Sequence, residues 1–469
     1  MADTDHRWGC PGGYREILKI AVPLVLSAGW WSLQIFVDRM FLTWHSREAL
    51  AAAGPAGMVN YTFAGFFIGT AVYVNTFVAQ YAGAGRSERI GSAIWQGLYF
   101  CLFAGLFMLG LIPFAGIIFD WAGHDPAIRS LEVAYFEILC LVAGPNAAAV
   151  TASCFFVGRG DTRTVMWVDL SAAGLNVILD YAWIFGNWGF PEWGIRGAAW
   201  ATAVANVFGL VLFMTLLLRR KYREEYHTLK GWRPDVVLFR RLMRFGIPSG
   251  VEAMLGTLGL SMFVLLVGRL GEIQLAATNL VMNMAWMGFL PMCGLTVAVS
   301  TLVGRYLGQD RPDLAERSVW TAFRLVMSYG VILAVVYVLL PGVILAPFAA
   351  QADPATFRPV QEMSVVLLRF LAVASLFDYM SLVFVSGVKG AGDTRFVMWT
   401  LTALNWGIMV IPTYLACIVY GWGVYAAWTC ESALMVTAGI VFLFRFLGGK
   451  WKSMRVIEMD TRIPCDSPS

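Results

Sequence analysis

Charge is what this sequence has least of. Asp, Glu, Lys and Arg together make up 14% of its 469 residues, against roughly 25% in an ordinary soluble domain. So few charges exclude a soluble globule, a nucleic-acid binder and a disordered scaffold alike. Signatures of nucleotide and hydrolytic chemistry are missing too. The chain contains no GxxxxGK[ST], no HExxH and no GxSxG, which removes the phosphate cradle, the zinc-protease helix and the nucleophile elbow. Its four histidines, His6, His45, His124 and His227, lie outside or at the ends of apolar stretches, so no histidine metal site is expected at membrane depth. The eight cysteines stand singly, without a CxxC pair, and they define neither a disulfide framework nor a redox compartment.

What is present is apolar. Hydrophobic residues are 59% of the chain and the mean hydropathy is +0.67. At roughly 20 mostly apolar residues per crossing, that supplies about a dozen spans. Residues 49–85, 97–119 and 396–430 contain no acidic or basic side chain. Helices are expected at about 16–42, 50–81, 92–119, 129–157, 164–187, 196–219, 242–268, 275–306, 318–346, 360–388, 396–419 and 423–446. The first is long and lacks a small-residue cleavage site after it, so it reads as a span and not a removed signal peptide. The long connector between the sixth and seventh, Arg219 through Arg244, holds nine of the 34 Lys and Arg residues. With the amino terminus in the cytoplasm only Arg39, Arg47, Arg129, Arg196, Arg269, Arg358 and Arg369 face outward, as the positive-inside rule requires. Both termini are therefore expected in the cytoplasm. The connector sets this topology; binding of anionic lipid headgroups is the rival role for it.

The chain repeats itself. Gly160-Asp161-Thr162-Arg163 recurs as Gly392-Asp393-Thr394-Arg395, and residues 75–83 pair with 300–308 at an offset of 225 that also superposes Pro23 on Pro248. Six spans per copy means that both copies enter from the same side. The expected architecture is an all-α membrane protein of twelve transmembrane helices in two pseudo-symmetric six-helix bundles. Its parts are an amino-terminal tail (1–15), a first lobe (16–219), the connector (220–241), a second lobe (242–447) and a carboxy-terminal tail (448–469). Two bundles about a central cavity favour transport by rocking. With no nucleotide site, an ion gradient must supply the energy, and the ion has to meet something polar inside the hydrocarbon.

Carboxylates at membrane depth are costly and face a cavity or a partner. The candidates are Asp38, Glu137, Asp169, Asp180, Glu252, Asp378 and Glu431. Asn176 precedes Asp180 by four residues, which places both on one helix face about a turn apart; amide and carboxylate oxygens together suit Na⁺ or a proton relay. Asp38 and Asp180 lie in the outer halves of helices running the same way, so the two could share a layer. Asp169, Glu137 and Glu431 are equally consistent with positions near an interface. Pro23 removes a backbone donor and crowds the Lys19 carbonyl, so the first helix should bend there, and Pro248 should bend the seventh. Aromatic residues serve interface belts first, although Trp30, Trp31, Tyr61 and Trp286 could line a cavity that attracts organic cations.

The run Asn176 to Gly186, the following Gly194 to Thr202, the two Gly-Asp-Thr-Arg boxes, Phe36-Val37-Asp38, Leu275 to Asn279 and the run at 299–304 resemble the multidrug and toxic compound extrusion (MATE) transporters over about residues 14–447. The resemblance implies two six-helix lobes that export cationic amphiphiles in exchange for Na⁺ or H⁺. It further implies no other cofactor or metal, a monomer in the plasma membrane (the inner membrane of a bacterium), and no enzymatic reaction. Carried over, it places the coupling-ion site at Asp38, Asn176, Asp180 and Thr202, makes Pro23 the bending proline, and sets Asp378 as a tenth-helix carboxylate. One departure stands out: many relatives carry Glu eight residues after the seventh-helix proline, where this chain has Gly256, with Glu252 one turn away. Glu252 and Asp378 are thus secondary cavity carboxylates, and the role of the second lobe stays open. The rivals to efflux are a flippase for a lipid-linked or amphiphilic precursor, which would want a cationic cavity, and a non-transporting scaffold. Arg324 and Arg369 are the basic residues placed within spans.

Overall fold

A computed structural model describes residues 8–120, 125–349 and 354–458; the expected positions of His6, His124 and Cys465 fall outside them. Twelve helices are long and apolar enough to cross a membrane. They are α1 (Tyr14–His45), α2 (Arg47–Gly83), α3 (Ser87–Asp120), α4 (Pro126–Gly158), α5 (Thr162–Phe185), α6 (Ile195–Leu217), α7 (Val236–Gly268), α8 (Glu272–Gly308), α9 (Pro312–Leu339), α10 (Phe357–Ala391), α11 (Thr394–Val419) and α12 (Val424–Leu447). Side-chain caps set several starts: Ser46 accepts the Ala49 N–H at 3.0 Å, Asp125 that of Ala127 at 2.9 Å and Asp235 that of Leu238 at 2.9 Å. Such caps satisfy backbone donors that a helix leaves orphaned.

The ninth span differs from its expected limits. It starts at Pro312 and stops at Leu339, and a separate helix covers Pro341–Ala349. Pro341 disfavours the helical region for the residue before it, and Leu340 sits at φ −122°, ψ 35°. The eleventh span is continuous but widens into π-helical turns over Asn405–Val410 and Leu415–Val419. Both Gly-Asp-Thr-Arg boxes form the tight joins α4–α5 and α10–α11, where Gly160 (φ 82°) and Gly392 (φ 116°) take backbone angles that side chains resist. Pro23 and Pro248 lie inside unbroken helices. The Lys19 carbonyl, which loses its intrahelical donor to Pro23, has the Thr162 hydroxyl 3.5 Å away.

Packing follows the repeat. In the first half α2, α3 and α6 pack on α4 and α1 on α5; in the second, α8, α9 and α12 pack on α10 and α7 on α11. The halves meet through α1 against α8 and α7 against α2, again a reciprocal pair. Large apolar side chains such as Leu102, Phe103 and Leu106 of α3 and Ile332 and Val335 of α9 stay exposed on the faces that a bilayer would cover.

At the end that carries the connector and both described chain ends, the halves are sealed together. Asn75 donates to the Thr301 hydroxyl at 2.9 Å and Gln80 to the Gly390 carbonyl at 3.1 Å, both buried. Tyr306 donates to Glu16 at 2.5 Å and receives the Gly12 N–H at 3.0 Å. The closest approaches are backbone to backbone: a Cβ on Gly83 would stand 2.0 Å from the Arg305 carbonyl oxygen, and one on Gly308 2.2 Å from that of Gln80.

A strap crosses this seal. After α12 the chain turns back, and Val456 donates its N–H to Gln80 at 2.9 Å. Glu458 then receives Tyr81 at 2.7 Å, Arg89 at 2.7 Å and Arg241 at 3.1 Å, while its carbonyl receives Arg86 at 3.0 Å. Burial alone would raise the Glu458 carboxyl, but its backbone N–H, Tyr81 and Arg89 outweigh that and hold it down at about 2.

Candidate functional site

Asp180 and Asn176 are carried by α5, Thr202 by α6 and Asp38 by α1. Both Asp180 and Asn176 are completely buried. The Asn176 amide satisfies its neighbours in one orientation, with its nitrogen donating to Asp180 Oδ2 at 3.0 Å and its oxygen accepting the Thr202 N–H at 3.2 Å. The Thr202 hydroxyl lies 3.5 Å from the same amide. Spacing of four on one helix thus does what the sequence required of it. The second Asp180 oxygen, Oδ1, has no hydrogen-bond partner among the described residues, and neither has Asp38 Oδ1.

Asp180 of α5 is close enough to Asp38 of α1 for each charge to be felt by the other. At such depth an ionised carboxylate with an unsatisfied oxygen is costly unless a cation or proton neutralises it. Carboxylate, amide and hydroxyl oxygens are hard donors of the kind that suit Na⁺.

A cavity of about 500 Å³ lies beside this cluster in the first half. Thr202 and Gln34 line it, with Asn60, Asn146, Ser153, Asp169 and Asn206, and so do Trp31 and Tyr61. Asp38, Asn176 and Asp180 are not among its lining residues; they stand behind its wall, with Thr202 at the boundary. Trp30 is not on the wall. The amides of Asn60, Asn146 and Asn206 escaped the sequence reading. Their signal was an uncharged polar group inside an apolar span, which is weaker than a carboxylate in the same place.

The second half holds a smaller cavity of about 200 Å³, lined by Asp378, Glu431 and the side chains of Met282, Trp286, Tyr379 and Trp428, among others. Asp378 is therefore where the sequence expected it, on a cavity wall. Glu431, which the sequence left between cavity and interface, joins it there. Glu252 is not on that wall: Lys389 of α10 donates to it at 2.5 Å, with side chains 18% and 23% exposed, so its charge is already matched. Gly256 faces Asn405, whose amide nitrogen would lie 3.9 Å from a Cβ there. Arg324 and Arg369 are exposed and line neither cavity.

Comparison with known proteins adds a family match. A family model described as MatE matches residues 23–182 and 248–415, one stretch in each half. A protein of Thermotoga maritima named "Probable multidrug resistance protein NorM" is 25% identical over 450 residues, covering 95% of each chain. One of the same name from Pseudomonas aeruginosa is 28% identical over 466 residues, covering 95% of this chain and 91% of that one. Among solved structures, an outward-facing conformation of a multidrug resistance MATE family transporter superposes with a TM-score of 0.85 at 19% identity, covering 95% of this chain and 98% of that one.

Proposed function

The chain belongs to the MatE family of transporters, and from that premise we propose that it exports organic cations by antiport against H⁺ or Na⁺. The observation that carries this reading is Asp180: fully buried, held by Asn176 and left with one oxygen unpartnered. The coupling cation loads the layer of Asp38, Asn176, Asp180 and Thr202. Loading neutralises charge stranded in a low-dielectric site, and the bundle answers only if the two lobe arrangements hold the cation with different affinity.

The proposed orientation puts the connector and both chain ends in the cytoplasm, in keeping with the positive-inside rule. The sealed end is then the inner end, and the arrangement described above is outward-facing. On α2 the cavity residues Asn60, Tyr61, Ala64 and Ile68 precede the seal residues Asn75 and Gln80, which sets the cavity on the outer side of the seal. The organic cation, the bilayer of the plasma membrane and the coupling ion are the partners of this reading, and a monomer is its working unit. Export of a diphosphate-linked lipid would call for basic side chains in a cavity, whereas neither the 500 Å³ nor the 200 Å³ cavity has Lys, Arg or His among its lining residues.

Everted membrane vesicles test the proposal. A pH gradient and a Na⁺ gradient are imposed separately and dye movement is followed. One of the two should drive uptake in the parent chain, and Asp180→Asn should reduce uptake at least tenfold while membrane insertion and gel-filtration behaviour stay unchanged. Full uptake in Asp180→Asn and in Asp38→Asn would remove the coupling site; no uptake with either gradient would remove the antiport.

A further inference from the structure

We propose that the connector end of the second half carries a binding site for the phosphates of an anionic lipid headgroup, built by α7, the α10–α11 join and the strap. Two adjoining cavities there, of about 370 and 320 Å³, share Arg244, Phe245 and Arg455. Arg395 adds to the first, and Arg240 and Arg241 to the second. Neither shares a lining residue with the two interior cavities described above. Asp393 is the single acid among the lining residues of the pair, and Arg445 already donates to it through Nε at 2.9 Å and through Nη2. Of the five lining arginines, Arg241 donates to Glu458 at 3.1 Å and Arg455 to Asp310 at 3.0 Å. Arg240, Arg244 and Arg395 have no hydrogen bond or ion pair among the described residues, and the Arg244 guanidinium has only the Phe245 ring, 5.9 Å away. Positive charges gathered round one hollow repel each other until an anion enters it.

The chemistry of the wall says which anion. Every basic group on it is an arginine, whose planar fork matches the oxygens of a phosphate. Val237, Arg240, Arg241 and Arg244 recur at i, i+3, i+4 and i+7 along α7, so one stripe of the helix carries them all. Val237, at the start of that stripe, is 72% exposed, and its neighbour Val236 and Trp232 just before it are exposed as well. A phosphate dissolved in the cytoplasm has no use for this apolar flank, whereas an acyl chain covers it. Basic pockets between spans at the cytoplasmic surface are suited to anionic headgroups, and two chambers with a common wall seat a headgroup that carries two phosphates. Only the choice of leaflet rests on the efflux reading: with the connector in the cytoplasm, the lipid is one of the inner leaflet.

Equilibrium binding to the full-length chain in detergent tests this, with tetraoleoyl diphosphatidylglycerol labelled at one acyl end as probe and equally labelled dioleoyl phosphatidylcholine as its zwitterionic counterpart. The parent should prefer the first lipid. Arg240→Gln/Arg244→Gln/Arg395→Gln should weaken its binding roughly tenfold or more and leave phosphatidylcholine unaffected. Arg219→Gln/Arg220→Gln/Lys221→Gln removes the same charge from the connector and should bind within twofold of the parent. Should the first triple variant fail to fold, Arg244→Gln and Arg395→Gln singly decide the matter, each expected to weaken binding about threefold. Unchanged binding in these variants, or an equal loss in the connector variant, would overturn the proposal. Displacement of the probe by inorganic pyrophosphate as effectively as by unlabelled lipid would give the site to a soluble phosphate and overturn the lipid. The assay needs no ion gradient, and Asp180→Asn should bind the probe as the parent does, so failure of the coupling site and failure of this one are read separately.

Discussion

Replacing Glu458 by glutamine unlatches the strap without altering its shape. The carboxyl is held at about 2 against an ordinary 4.5, which corresponds to roughly 3 kcal/mol between the two protonation states. Its side chain is 34% exposed, so solvent screening reduces the useful part to about 1–2 kcal/mol. Because the folded value lies below the ordinary one, this stabilisation is present in full above pH 4.5 and is lost as the pH falls towards 2. An assay at neutral pH therefore sees all of it. Tyr81, Arg86 and Arg89 belong to the first half, and the strap itself extends from the second, so the lost energy is energy that kept the halves together. Under alternating access, about tenfold more of the population should open at the connector end. Double electron–electron resonance between spin labels at the exposed positions Glu88 and Asp313, in a background freed of native cysteines, reads this directly. The long-distance fraction should rise in Glu458→Gln at pH 7, while acidification of the parent towards pH 3 should shift it the same way. Identical distance distributions for parent and variant would show that the strap does not hold the halves.

Two further outcomes follow, one from the seal and one from the ion pair within the second half. Gly83→Ala or Gly308→Ala drives a methyl group into a backbone carbonyl at 2.0 or 2.2 Å; overpacking of this kind costs about 1–3 kcal/mol. Either variant should populate the form open at the connector end and lose efflux, and unaltered label distances would contradict the seal. Glu252→Gln strands the Lys389 ammonium in a largely buried position and should lower thermal stability by about 3 kcal/mol; the double variant Glu252→Gln/Lys389→Gln should regain most of it, as melting of the detergent-solubilised protein would show.

The spans and the repeat could be read from the chain because a bilayer imposes a length and a composition on every crossing. Asn176 and Asp180 were legible for a similar reason, since spacing along one helix fixes their relation. Thr202 came from family resemblance alone; in the structure its N–H lies 3.2 Å from the Asn176 amide oxygen. That Glu252, expected as a cavity carboxylate, is paired with Lys389 could not be read, because Lys389 lies 137 residues away on a helix whose rotation no periodicity reveals. Glu431 was undervalued for the same reason. The strap left no trace in the pattern at all: the five residues of irregular backbone at 454–458 carry no period, and their meaning depends on where Tyr81, Arg89 and Arg241 arrive in space.

Gly83 packs on Arg305, and Gly308 packs on Gln80. Under the offset of 225 that relates the two copies, Gly83 corresponds to Gly308 and Gln80 to Arg305. Each contact is the image of the other, as in an isologous dimer of identical subunits. A six-span unit pairing with its own twin would already possess this joint, so joining two copies into one chain would require no new fit. The linings of the two interiors could then differ, as Asn60, Asn146 and Asn206 in one and Met282 and Met435 in the other do, without disturbing the joint between the halves.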